Sequence, residues 1–209
     1  MKIIIFGASG GLGLKVMESA LDLGHFITAF VRSPEKVKIR HPNLTVFQRD
    51  VMDSAAVAKA IAGQDAVIST LGPSRPPVPH MMELAAKNIV AGMREHGVQR
   101  LISTTGAGVR QPEDQPKFVD KFFGVLLNLL AKEVVADSAK NVKVLQVSDL
   151  DWTVVRFPRL TDGEHMGKYR VGYVGRDSST QFSRADAADF ILKELSEKKW
   201  VKKLPLVSY

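Results

Sequence analysis

The chain has 209 residues, 45% of them apolar and 24% charged, which is enough for one domain with a substantial core. It has no cysteine, so a disulfide framework and a thiolate zinc site are both excluded. The formal charge of +7 suits an anionic small ligand or plain solubility, and neither an aromatic-basic stacking platform nor a recognisable nucleic-acid module accompanies it.

Apolar runs of strand length alternate with helical patterns, which predicts a parallel sheet covered on both faces. Ile3–Phe6 reads as the first strand and Leu12–Leu23 as the first helix, closed by Gly24. Phe26–Val31 and Leu44–Phe47 are the next two strands, joined by the polar stretch "RSPEKVKIRHPN" with room for a helical turn. Asp53 or Ser54 caps a helix that runs to Ile61 and ends at Gly63. Ala66–Ser69 is the fourth strand, followed by a proline-rich loop and a helix over Met81–Glu95 that stops at Gly97. Leu101–Thr104 is the fifth strand, residues Phe118–Val147 hold a long helical region with room for a break, and Thr153–Arg156 is the sixth strand. Beyond it, "KYRVGYV" suggests a short strand or hairpin, Ala185–Leu195 a helix and Leu204–Val207 a last strand. No internal repeat or linker divides the chain, so one layered α/β domain over residues 1–209, with a small C-terminal elaboration, is expected.

The string "GASGGLG" lies between the first strand and the first helix. Alone a G-x-x-G-x-x-G spacing says little, but at the carboxyl edge of a parallel sheet each glycine has a task. Gly7 permits a tight turn, Gly10 lets a diphosphate approach the backbone, and Gly13 lets the helix pack closely on the strand. The helix start offers unsatisfied N–H groups and a partial positive charge, and Ser9 adds a hydroxyl.

The end of the second strand selects the nucleotide. An acidic residue there would bind the adenosine ribose of NAD(H). Arg32 and Ser33 stand in its place, and a guanidinium pairs with a 2′-phosphate, so NADP(H) is expected over NAD(H). Lys36 is a possible helper. The other strand ends should line the same cleft: Asp50 and Val51 near the adenine, Thr70, Leu71 and Gly72 near the second ribose. Ser103, Thr104 and Thr105 follow near the reactive ring, with Phe157, Pro158 and Arg159 over the nicotinamide.

"GASGGLG", the "RD" after the third strand, "STLG", "STTGAG", "LDWTVVRFPRLTDG" and "SRADAADFIL" together resemble the atypical short-chain dehydrogenase/reductase superfamily. The resemblance is to its NAD(P)H-binding branch, which includes flavin reductase/biliverdin reductase B and NmrA-like proteins, and it covers nearly the whole chain. It implies a Rossmann-type doubly wound sheet of strand order 3-2-1-4-5-6-7. It also implies NADP(H) held by Gly7, Ser9, Gly10, Gly11, Leu12, Gly13, Arg32, Asp50, Val51, Thr70, Leu71 and Gly72.

One departure is informative. Superfamily members that handle carbonyls carry a Y-x-x-x-K pair on the helix after the fifth strand. Here the three tyrosines, Tyr169, Tyr173 and Tyr209, all follow the sixth strand, and Val134 and Ser138 fall near the expected pair. The expected activity is therefore hydride transfer from NADPH to a planar small-molecule acceptor, flavin or quinone, with Thr104 and Arg159 bordering the reacting atoms. A non-catalytic NADP(H) sensor of NmrA-like type is the alternative.

Arg75 and His80, in and after the proline-rich loop, are candidates for an acceptor-side wall. Phe118, Phe122, Phe123 and Leu126 are candidates for an acceptor roof, a dimer contact or core, leaving monomer and homodimer both open. The histidines show no metal-ligand spacing, so no metal is expected. The opening apolar run is broken by Gly7, and the richest one, Phe122 to Ala131, falls short of a bilayer span. A cytoplasmic protein without a membrane or nucleic-acid partner is the expectation.

Overall fold

The computed structural model describes residues 1–74, 76, 78–115, 133–175 and 179–209. Strand β1 (Lys2–Phe6) lies at the middle of the sheet, and its unbroken apolar run Ile3–Phe6 is fully buried on both faces. Ile3 and Ile5 point to one core layer, Ile4 and Phe6 to the other, as the two-residue strand period requires.

Helix α1 (Gly11–Asp22) leads to β2 (Phe26–Val31), and a single 3-10 turn at Pro34–Lys36 leads toward β3 (Leu44–Gln48). Helix α2 (Ser54–Ile61) is capped by Asp53, whose Oδ1 accepts the Ala56 N–H at 3.0 Å. Then come β4 (Ala66–Ser69), α3 (Met81–Glu95) and β5 (Arg100–Gly106). Residues 133–146 are helical (α4), and β6 (Asp151–Phe157) follows. The C-terminal part adds β7 (Arg159–Thr161), β8 (Arg170–Gly172), β9 (Gln181–Ser183), α5 (Arg184–Glu197) and β10 (Leu206–Ser208).

The main sheet runs β3-β2-β1-β4-β5-β6-β10-β8. Every pair is parallel except β10–β8, so β8 is an antiparallel edge. This is the Rossmann-type order expected, with β10 as its seventh strand. Chain direction across the sheet reverses between β1 and β4, the switch point outside which such sheets hold ligands. Helices α1 and α5 pack on one face, and α2, α3 and α4 on the other. No helix among the described residues is long and apolar enough to cross a membrane.

Five strands differ from the reading of the sequence. Strands β5 and β6 are longer than expected because they pair in register over seven residues, from Arg100–Asp151 to Gly106–Phe157. The last strand starts after Pro205 rather than at Leu204, since proline has no N–H for a ladder. Strands β7 and β9 were not foreseen: they form a small parallel sheet of three-residue strands, too short to leave a periodic signal. The predicted roof residues Phe118, Phe122, Phe123 and Leu126, with Arg75, lie outside the described residues.

Candidate functional site

The loop after β1 folds as a tight turn. Gly7 has φ +79°, a left-handed conformation that side chains rarely adopt, and its carbonyl accepts the Gly10 N–H at 3.0 Å. A Cβ on Gly7 would lie 2.9 Å from the Thr70 carbonyl, so the loop after β4 presses directly on the turn. At Gly13 the space is closed: a Cβ would lie 2.2 Å from the Gly7 oxygen and 2.8 Å from Thr70 Oγ1. Thr70 Oγ1 donates toward the Phe6 and Gly7 carbonyls, at 3.1 and 3.2 Å. Gly10 is the N-cap of α1, so no side chain caps this helix, and its first turn contains no acidic residue. The first N–H groups of α1 are therefore open to an anion. Ser9 sits beside them, half-buried.

The adenosine-side candidates cluster at the ends of β2 and β3. Arg32 is exposed, and its guanidinium has no partner among the described residues. Ser33 is the N-cap of the 3-10 turn, but its hydroxyl makes no capping bond. Asp50 Oδ1 accepts the Met52 N–H at 2.9 Å, and Val51 is buried with its carbonyl held by Asn88 Nδ2 at 2.9 Å. That asparagine fixes the loop after β3 from α3.

A cleft of about 220 Å³ opens outside the carboxyl ends of β4, β5 and β6. It brings together Leu12, Thr70, Leu71, Gly72, Thr104, Thr105, Phe157 and Pro158, eight of the cofactor-side residues singled out from the sequence. Thr104 is buried and its Oγ1 donates to the Ser69 carbonyl at 3.3 Å, so it forms part of the wall. Phe157 is buried and stacked on Phe182 with centroids 5.8 Å apart. Arg159 is not among the lining residues: it opens β7, is exposed, and donates its backbone N–H to the Thr180 carbonyl at 3.2 Å. Leu160, one residue on, takes a place in the lining instead. Pro73, Met82 and Ser138 also line the cleft. Ser138 was legible as the residue where the superfamily's lysine would fall; Met82 and Leu160 gave no signal beyond apolarity. All the described lining residues are uncharged.

Neither Tyr169 nor Tyr173 is in this lining. The Tyr169 hydroxyl donates to Asp189 Oδ2 at 2.7 Å, and burial together with that carboxylate pushes the phenol up. It is neither placed nor tuned to give a proton to the cleft.

A second cavity of about 340 Å³ adjoins the first through Pro73 and Met82. Its lining is mixed: proline, valine, methionine and alanine residues stand beside Ser74, His80, Glu133, Asp137 and Lys140. Both Asp137 oxygens accept backbone N–H groups of α3, from Met82 at 2.9 Å and Glu83 at 3.1 Å. Asp137 thus caps α3 from another helix, which makes up for His80, an N-cap in the left-handed region at φ 58°. His80, Glu83 and Asp137 bring ligand atoms within 4.8 Å of one another, a proximity the sequence did not suggest. Their groups are already engaged: the hydrogen bond from Lys87, at 2.6 Å, holds Glu83 below the usual carboxylate range.

A family model described as NAD(P)H-binding matches residues 7–198. Among curated proteins, YwnB of Bacillus subtilis is 28% identical over 210 aligned residues, covering 93% of this chain and 92% of its own. Of several other curated relatives the chain spans less than half the length. Two solved structures share the fold. A short-chain dehydrogenase/reductase of Veillonella parvula, in complex with NADP, gives a TM-score of 0.84 at 20% identity, over 100% of this chain and 94% of that one. ChuY, an anaerobillin reductase of Escherichia coli O157:H7, gives 0.79 at 23% identity, over 100% and 97%.

Proposed function

We propose, because the chain belongs to the NAD(P)H-binding family, that it is a reductase using NADP(H) in preference to NAD(H) and serving a planar acceptor of flavin or quinone type. The observation that carries this is the uncharged cleft at the carboxyl ends of β4–β6, bordered by the glycine turn on one side and a second, partly polar cavity on the other. The residues present fit the dinucleotide: a turn in which Cβ atoms at Gly7 and Gly13 would collide, and an uncapped helix start.

On this reading Gly7 and Ser9–Gly13 hold the diphosphate, and Arg32 with Ser33 takes the 2′-phosphate. Asp50 and Val51 border the adenine, Thr70–Gly72 the second ribose, and Thr104, Phe157 and Pro158 the nicotinamide. When bound, the cofactor supplies a hydride. The chain contributes orientation and exclusion of water, since no side chain in the described lining is an acid able to protonate an alkoxide. That favours an acceptor whose reduced form takes its proton from solvent. The neighbouring cavity shares Pro73 and Met82 with the cleft and gives a planar ring system a place beside it.

The test is NADPH consumption against FMN, riboflavin, quinones and tetrapyrroles, run beside NADH. Turnover with one of these and a preference for NADPH is the expected result. The lack of an acid in the cleft equally suits a cofactor sensor, and tight NADPH binding with no turnover across the panel would replace the reductase reading by that one.

A further inference from the structure

Gly11 is not accounted for by the bend, since its φ is not positive. What it meets is Arg184: a Cβ on Gly11 would lie 2.8 Å from Arg184 Nε and 3.3 Å from Cδ and Cζ. Arg184 is the first residue of α5, and α5 packs along α1. The guanidinium is thereby laid against the first turn of α1, where no side chain caps the N–H groups. A full positive charge and the partial positive end of a helix repel each other unless an anion lies against both. The described partner of Arg184 is Asp162, bound through Nη1. Asp162 is 91% exposed against 27% for Arg184, so this pair is well solvated and holds the arginine only weakly.

We propose that Arg184 binds the diphosphate of the dinucleotide, its guanidinium and the N–H groups at the start of α1 sharing the phosphate oxygens. The proposal rests on the NADP(H) reading above. A guanidinium presents paired donors in a fixed plane, the geometry that suits phosphate oxygens. Asp162 holds the guanidinium too weakly to compete with a phosphate, and Gly11 is glycine because any side chain there would push the arginine away.

Calorimetric titration with NADPH and, separately, with adenosine 2′-monophosphate, which has no diphosphate, tests this. R184M should weaken NADPH binding about tenfold to a hundredfold and leave the monophosphate unchanged. R184K should recover part of the loss, because a lysine keeps the charge without the fork. G11A should repeat the NADPH loss with Arg184 still present, and D162N should leave NADPH binding as tight or tighter. Unchanged NADPH affinity in R184M overturns the proposal, as does an equal loss for both ligands in R184K and G11A, which marks a structural residue. Wild-type protein that binds neither ligand overturns the cofactor reading itself, a different outcome from wild-type binding that R184M leaves intact.

Discussion

Arg156 and Asp114 meet as a two-pronged pair, Nη1 to Oδ2 at 2.7 Å and Nη2 to Oδ1 at 2.9 Å, with 0% and 2% of their side chains exposed. Further hydrogen bonds hold both: Arg156 donates to the Leu204 and Val109 carbonyls, and Asp114 accepts the Gln111 and Val174 N–H groups. Burial alone would push the Asp114 carboxyl up; the Arg156 guanidinium and those N–H groups outweigh it and hold it below the usual range. The pair joins β6 to the loop after β5, the two strand ends that border the cleft. Removing one partner leaves a buried charge alone, so D114A should cost about 3–5 kcal/mol in urea denaturation. The double variant D114A/R156M should cost less than the sum of the singles. Additive losses would show that the two residues act independently.

Just past the end of β2, Arg32→Glu should weaken NADPH binding on the order of tenfold to a hundredfold while leaving NADH nearly unaffected. Arg32 is exposed and unpaired among the described residues, so its replacement disturbs no other contact. Binding measured for both cofactors in parallel decides it. An equal loss for the two would remove the 2′-phosphate assignment.

Gly13→Ala opposes two effects of different sign. Helix propensity favours alanine by about 1 kcal/mol. The new Cβ would sit 2.2 Å from the Gly7 oxygen and 2.8 Å from Ala8 Cα, both backbone atoms that cannot swing away. The collision wins, so the variant should melt well below wild type even though it improves the helix. Gly72→Ala is the control: a Cβ there meets nothing within 4 Å, and the melting temperature should not move. A Gly13→Ala protein as stable as wild type would mean that the turn can open.

The glycine turn and the strand ends were legible because both are local: a buried run, then a residue type that only one backbone conformation demands. The Asp53 cap was legible for the same reason. What escaped was contact at long range. Asp114 and Arg156 are 42 residues apart, and nothing near either announces the other. Arg184 could be seen as a helix-start residue in "SRAD" but not as the neighbour of Gly11, which lies on another helix. Arg159 shows the limit of reading strand ends as sites. Where β6 stops and β7 begins, successive residues alternate, so Leu160 reaches the cleft and Arg159 does not.

Asp186 offers a test with a worked pH dependence. It is fully buried, and burial pushes its carboxyl up. The Tyr209 hydroxyl at 2.6 Å, the Gly167 N–H at 2.8 Å, the Met166 N–H and the Ser183 hydroxyl outweigh that and hold it below the usual range. A carboxyl lowered by folding adds stability that is complete above about pH 4, its unfolded value, and is lost as the pH falls through the folded one. For Tyr209 the sign is reversed. Burial and the bond to Asp186 raise its phenol, so its contribution is complete below about pH 10 and fades as the pH rises through the folded value. Tyr209→Phe removes the shared hydrogen bond and should cost about 1.5 kcal/mol at neutral pH, the low end for a bond to a charged group because the tyrosine is only partly buried. The stability gap to wild type should be widest between these limits and narrow toward both acid and alkali. His165 Nε2, 3.6 Å from Asp186 Oδ1, is present in both proteins and largely drops out of the difference. Urea denaturation across the pH range measures the gap, and a gap that stays constant into acid would mean that Tyr209 does not hold the Asp186 carboxylate.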